Sequence, residues 1–315
     1  MISPSRVTGI LFAFSCLAIL GVMPLLASSR PVGSDGLAFA IWLTGWQLVA
    51  ALPLFIMEMR GGNQHQIRRA PGSNALFVAL LTGAMFGIST YMYVVAAEKA
   101  GAINMVLALQ SYPLIAMATE AVFLGKRKSV AEAGFTLLSV LALAYLVTDG
   151  SFRPDRLSHW TLFALGIPVL WTVAHLLLKR VLENLSVTPN QVTVSRLIIS
   201  GLFLLLVQAG LGQTGTLVQA LASREFMLAA AALGIAYYLE LLLWFYAMRH
   251  IDVSLASSIT VPAPAITMLI SAFYLGQTVQ LHQIVAMVLV TAGIYGLLAA
   301  GRQRESRLGG GAEPV

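Results

Sequence analysis

Apolar residues fill this chain in stretches of about twenty, broken by short connections rich in Gly, Pro, Ser, Asn or charged residues. An α-helix rises about 1.5 Å per residue, so such a stretch matches the roughly 30 Å hydrocarbon core of a bilayer. The pattern predicts helices over 7–28, 36–57, 75–97, 102–124, 131–148, 160–180, 190–210, 226–248, 253–275 and 282–300. Strands are not expected, because membrane-barrel strands alternate over only about ten residues. The longest connections, 59–74, 149–159 and 210–225, are too short for an extramembrane domain. Arg6, the following apolar run and Ala27-Ser28-Ser29 also resemble a cleaved signal peptide. That run is long enough to span, and the repeat described below needs it as a first helix. The expected fold class is therefore an all-α integral membrane protein with ten transmembrane helices.

Composition narrows the class further. Hydrophobic residues make up 58% of the 315 positions and charged residues 10%, against about 25% charged in soluble domains. Too few charges are present to build a water-facing exterior. The net charge of +6 does not point to nucleic acid, because the basic residues sit in small clusters between apolar segments. With the N-terminus inside, thirteen Lys and Arg fall in inside connections and five in outside ones. This bias predicts both termini in the cytoplasm of a multi-pass cell-membrane protein, the inner membrane if the source is bacterial. The lone cysteine, Cys16, rules out an intrachain disulfide or a cysteine metal site and is expected simply to pack.

The chain repeats itself. A shift of 151 residues lays Ala79 on Ala230, Gly83 on Gly234, Pro113 on Pro264, Met117 on Met268, and Leu124-Gly125 on Leu275-Gly276, without a gap. Five helices per half is odd, so the halves face opposite ways in the bilayer. The expected organisation is a first five-helix repeat over 1–150, a second, inverted one over 151–301, and a disordered cytoplasmic tail over 302–315, which is rich in Gly and Arg. Inverted repeats are typical of secondary transporters, with the substrate held near the midplane between them.

Tyr93 to Gly125 and Trp244 to Gly276 carry a family likeness. Each runs through a helix end, a short connection, a helix containing a proline, and a closing Leu-Gly. In this the chain resembles the drug/metabolite transporter superfamily, specifically its ten-helix members built from two EamA-type repeats. It departs from that pattern where Lys126 and Gln277 replace a common acidic residue, and where the first helix lacks a Trp. The resemblance implies a carrier, most often an exporter, of amino acids, metabolites or drugs. It places the cavity among helices one, three, four, six, eight and nine.

The residues themselves suggest where a site could lie. A proline inside a helix frees a carbonyl, which in lipid must find a partner or line a cavity. Gln110, Ser111, Tyr112 and Pro113 make such a polar break in helix four, and Thr260 to Pro264 the matching one in helix nine. Tyr91, Trp171 and Tyr238 offer aromatic walls for a small organic substrate. Ionisable residues within spans are costly and tend to face the interior; here they are Glu120, His175, Arg196 and Glu240. Glu240 and Arg196 lie about 12 and 9 Å from the same side and are expected to pair. Glu240, Arg196 and His175 are the candidates for proton coupling. Glu120 and Gly83 are read as structural.

No protease, hydrolase or phosphate-loop motif and no metal-ligand cluster appears, and no enzyme activity, cofactor or metal is expected. The expected partners are a small-molecule substrate, the bilayer and protons as a candidate coupling ion, with the chain a monomer or homodimer. A channel, a membrane scaffold and an intramembrane enzyme are the alternatives.

Overall fold

The computed structural model describes residues 4–60, 73–123, 129–182, 189–251 and 253–309. These residues form helices and connections, with no strand among them. In chain order the helices are α1 (Pro4–Ser28), α2 (Gly36–Arg60), α3 (Ser73–Lys99), α4 (Ala102–Leu109), α5 (Tyr112–Phe123), α6 (Val130–Val147) and α7 (His159–Leu182). They continue as α8 (Pro189–Gly210), α9 (Thr214–Ala222), α10 (Arg224–His250), α11 (Val253–Thr260), α12 (Ala263–Phe273) and α13 (Leu281–Gly309). Eight of them are long and apolar enough to cross a membrane: α1, α2, α3, α6, α7, α8, α10 and α13.

The stretches predicted as helices four and nine are each two shorter segments. Pro113 has no N–H, so Leu109, four residues back, is left without its helical donor, and α4 ends there. Two tight turns cross the gap, with Gln110 N–H donating to Leu107 O and Ser111 N–H to Ala108 O. Pro262 and Pro264 do the same between α11 and α12. The two breaks keep the register seen in the sequence. The bounds of α3 and α10, the bounds of α4 and α11, and the starts of α5 and α12 are displaced by the same 151 residues.

Two further features differ from the sequence reading. The 210–225 connection contains the nine-residue helix α9. The expected disordered tail is helical as far as Gly309, because α13 continues beyond Gly301, and 310–315 lie outside the described residues.

Burial is arranged for a lipid solvent. Large apolar side chains such as Phe77, Leu202, Leu206 and Leu228 point outward, while Thr44, Gln47, Ser139, Gln208, Thr267 and Ser271 are buried inside. Without water, attraction between helices relies on close packing and internal hydrogen bonds. Glycines supply the close approach. A Cβ on Gly234 of α10 would sit 2.8 Å from the Leu43 carbonyl oxygen of α2. Side-chain hydroxyls use the exposed carbonyls: Ser200 Oγ donates to Gly83 O at 2.7 Å, and Thr267 Oγ1 to Gly21 O at 2.7 Å.

The bundle has two distinct ends. At the terminal end, Gly9 of α1 meets His250 and Ile251 at the close of α10, and Asn190 of α8 donates to Glu58 of α2. At the far end, Asp35 before α2 accepts from Gln208 of α8, and Gln283 of α13 donates to Asn104 of α4.

Candidate functional site

The sequence-selected residues do not all gather in one place. Five of them, Tyr112, Trp171, His175, Arg196 and Glu240, converge between α1, α3, α5, α7, α8 and α10, in the half of the bundle toward the terminal end. His175 lies seven residues before the end of α7, Arg196 seven after the start of α8, and Glu240 ten before the end of α10. At about 1.5 Å per residue these share a belt roughly 10–15 Å deep.

Tyr112, the first residue after the break in helix four, places its hydroxyl 3.3 Å from His175 Nδ1. The His175 ring stands edge-on to Phe86 of α3 at 5.3 Å. On the same Phe86, the Arg196 guanidinium sits 4.4 Å from the ring centroid. A cation over an aromatic face is stabilised by about 0.5–2 kcal/mol, more as water is excluded. Arg196 is also within electrostatic range of Tyr237, Glu240 and His175. Tyr237 meets Tyr93 edge-on at 5.7 Å. Glu240 Oε1 accepts from the Cys16 thiol at 3.5 Å. Trp171 is fixed on α7 by donating from Nε1 to Ser89 Oγ at 3.0 Å. His175 is exposed, and Tyr112, Trp171, Arg196, Tyr237 and Glu240 are half-buried.

Three expectations change. Arg196 and Glu240 form no ion pair, because the guanidinium is turned onto Phe86 and makes no hydrogen bond among the described residues. Cys16 does more than pack, being the thiol donor to Glu240. Tyr238 faces away from the cluster: it donates from its hydroxyl to Asn190 Oδ1 at 3.2 Å and packs with Ala51, Val194 and Leu197 between α2 and α8. There it borders a separate cavity of about 260 Å³ that also includes Glu58, Asn190 and Thr193.

The remaining candidates surround the breaks. Gln110 and Pro113 are half-buried there, Pro264 is buried, and Thr260 closes α11 with its hydroxyl 3.4 Å from Ala256 O. Tyr91 packs against the main core on α3. The Glu120 side chain lies outside the described residues. Phe86 and Ser89 went unselected. Phe86 comes three residues after Gly83, which was read as structural, and a phenylalanine there gives no sign of holding a cation.

Among the described residues, the belt sets the Arg196 cation and the Glu240 anion, without an ion pair between them, among aromatic rings and a Tyr–His contact. Such a set can bind an organic molecule by charge and ring stacking. Among the described residues, no group of three or more His, Cys, Asp or Glu is placed to hold a metal ion.

Residues 158–299 match the model of the EamA-like transporter family. No curated protein matches the chain. A solved structure, titled only "Crystal structure of protein", aligns with 93% of this chain and 98% of its own, with a TM-score of 0.62 at 18% identity. The two share a fold over nearly their full length.

Proposed function

We propose that this chain, whose EamA-like domain covers α7 through most of α13, is a secondary transporter that exports small organic molecules across the cell membrane by alternating access. In this reading α4 with α5 and α11 with α12 each make one broken span, so ten spans form two inverted five-helix repeats over 1–150 and 151–301. The shared 151-residue displacement of the two broken spans supports it. Both termini face the cytoplasm, as the distribution of Lys and Arg favours.

One observation carries the placement of the site: Arg196 and Glu240 sit at matched depth, within electrostatic range but without an ion pair, in a half-buried aromatic belt. A half-buried charge without an ion-pair partner is less well stabilised than one in open water. An occupant bearing an anionic group for Arg196 and an ammonium for Glu240 satisfies both. In the empty site, a proton on Glu240 removes its charge, which makes Glu240 the coupling candidate, with His175 and Arg196 as neighbours. Tyr112, Trp171, Gln110 and the breaks at Pro113 and Pro264 shape the walls.

Counterflow in reconstituted vesicles, run with amino acids, amines and carboxylates, tests this. Saturable exchange of a member of that panel is expected. Glu240→Gln and Arg196→Gln are each expected to lower it at least tenfold, about 1.4 kcal/mol, at unchanged folded yield. Non-saturating flux would make the protein a channel. Wild-type accumulation on a pH gradient by Glu240→Gln would remove that residue's coupling role.

A further inference from the structure

The connection between α1 and α2 is held on both flanks by polar side chains. On one flank, Arg30 makes an ion pair with Glu98 in the last turn of α3. On the other, Asp35 Oδ2 accepts from Gln208 Nε2 at 2.8 Å and from Thr216 Oγ1 at 2.9 Å, which ties it to the end of α8 and to α9. Its Oδ1 accepts from the N–H of Leu37 at 2.8 Å, at the start of α2. Nearby, Trp42 Nε1 donates to Leu217 O at 3.3 Å.

Arg30 is the unusual member. It is only 9% exposed, and its Nε and Nη1 have no hydrogen-bond partner. Burial pushes its guanidinium below the ordinary value, against the pull of Asp35 and Tyr91. A buried cation with unmatched donors is expensive. Its seat is nonetheless shaped for it, since a Cβ on Gly36 would lie 2.6 Å from Nη1. A costly but fitted contact of this kind suits an element with two states, one in which the donors are covered and one in which they reach water. Gly33, at φ 77°, gives the connection a joint.

The geometry points to residues 29–36 as a gate over the far end of the substrate path, latched closed by Arg30 on Glu98 and by Asp35 on Gln208 and Thr216. The inference builds on the transporter reading, because a gate needs a path to close. Its opening frees α1 and α2 from α3 and from α8–α9 together, which a carrier needs in order to expose the belt on its second side.

The test is accessibility of a cysteine at Tyr91, a residue within electrostatic range of Arg30, in a Cys16→Ala background that leaves Tyr91→Cys as the sole thiol. A membrane-impermeant maleimide is applied from the side of the α1–α2 connection. Arg30→Ala, Glu98→Ala and Asp35→Asn are each expected to raise the labelling rate at least fivefold. The exchange Arg30→Glu with Glu98→Arg is expected to restore slow labelling. Gly36→Ala keeps every charge but crowds Arg30 from its seat, and it should raise the rate as well. An unchanged rate in the three latch variants overturns the proposal. So does an equal rise in Arg153→Ala, an exposed arginine at the same end. Labelling needs no substrate, so a gate that responds in a protein showing no counterflow would separate failure of the transport reading from failure of this one.

Discussion

Gly234→Ala is the most direct test of how α10 is seated against α2. A methyl at 234 would lie 2.8 Å from the Leu43 carbonyl oxygen, 2.8 Å from Trp46 Cβ and 3.2 Å from Gln47 N. Two of these are backbone atoms of a helix and cannot turn aside, so α10 must move outward. Overpacking of that kind costs about 1–3 kcal/mol. Alanine also favours a helix over glycine by about 1 kcal/mol. Gly45 of α2 provides the control, since a Cβ there meets nothing within 4 Å. Gly45→Ala therefore takes the propensity gain without the clash. The two variants should differ by about 1–3 kcal/mol in reversible unfolding in mixed micelles, with Gly234→Ala the less stable. Glu240 lies less than two turns further along α10, so transport should fall with stability in Gly234→Ala and persist in Gly45→Ala. Equal stability of the two would show that α2 and α10 are not in the close contact described.

Two other outcomes follow from the polar ends. Burial would raise the Asp35 carboxyl, but donors from Gln208, Leu37, Thr216 and Ala38 outweigh it and hold it below the usual carboxylate value. Its contribution is thus complete above the unfolded value near 3.9 and is lost only as pH falls through the still lower folded one. Asp35→Asn should cost about 1–2 kcal/mol, with that difference from wild type constant between about pH 8 and 5; a gap that closes by pH 5 would contradict the bonding described. A reporter fused after Val315 should read cytoplasm and one inserted within 149–159 the outside, and the same side for both would defeat the ten-span reading.

The long helices were legible because the bilayer sets their length, and a run of some twenty apolar residues has few other uses. The helix breaks were legible at Pro113 and at Pro262 with Pro264, but proline alone is not the signal. Pro24, Pro53 and Pro168 lie inside continuous helices. The working breaks also carry Gln110 and Ser111, or a second proline. Helix α9 was missed because it is one short segment whose N-cap, Gln213, makes no side-chain capping bond. For the candidate site, depth could be counted along each helix, and that count set Arg196 level with Glu240; the structure adds His175 to the same belt. Direction around the axis could not. Tyr237 and Tyr238 are neighbours in sequence but about 100° apart on the helix, and only the first joins the cluster. The pairing of Arg196 with Glu240 failed for a similar reason, since a ring contributed by α3 stands where the guanidinium goes.

The hydroxyl bonds from Ser200 to Gly83 O and from Thr267 to Gly21 O bear on how the helices can travel. In water a sliding hydroxyl trades its acceptor for solvent at every point of its path. In a hydrocarbon interior its other acceptors are the carbonyl one turn back on its own helix, as Thr267 already has in Ala263 O at 3.4 Å, and the next carbonyl along the partner's face, about one helical turn, or 5.4 Å, away. Movement of α8 past α3, or of α12 past α1, is therefore stepped rather than smooth. Each hydroxyl acts as a detent, holding one resting position firmly and making every intermediate one short-lived.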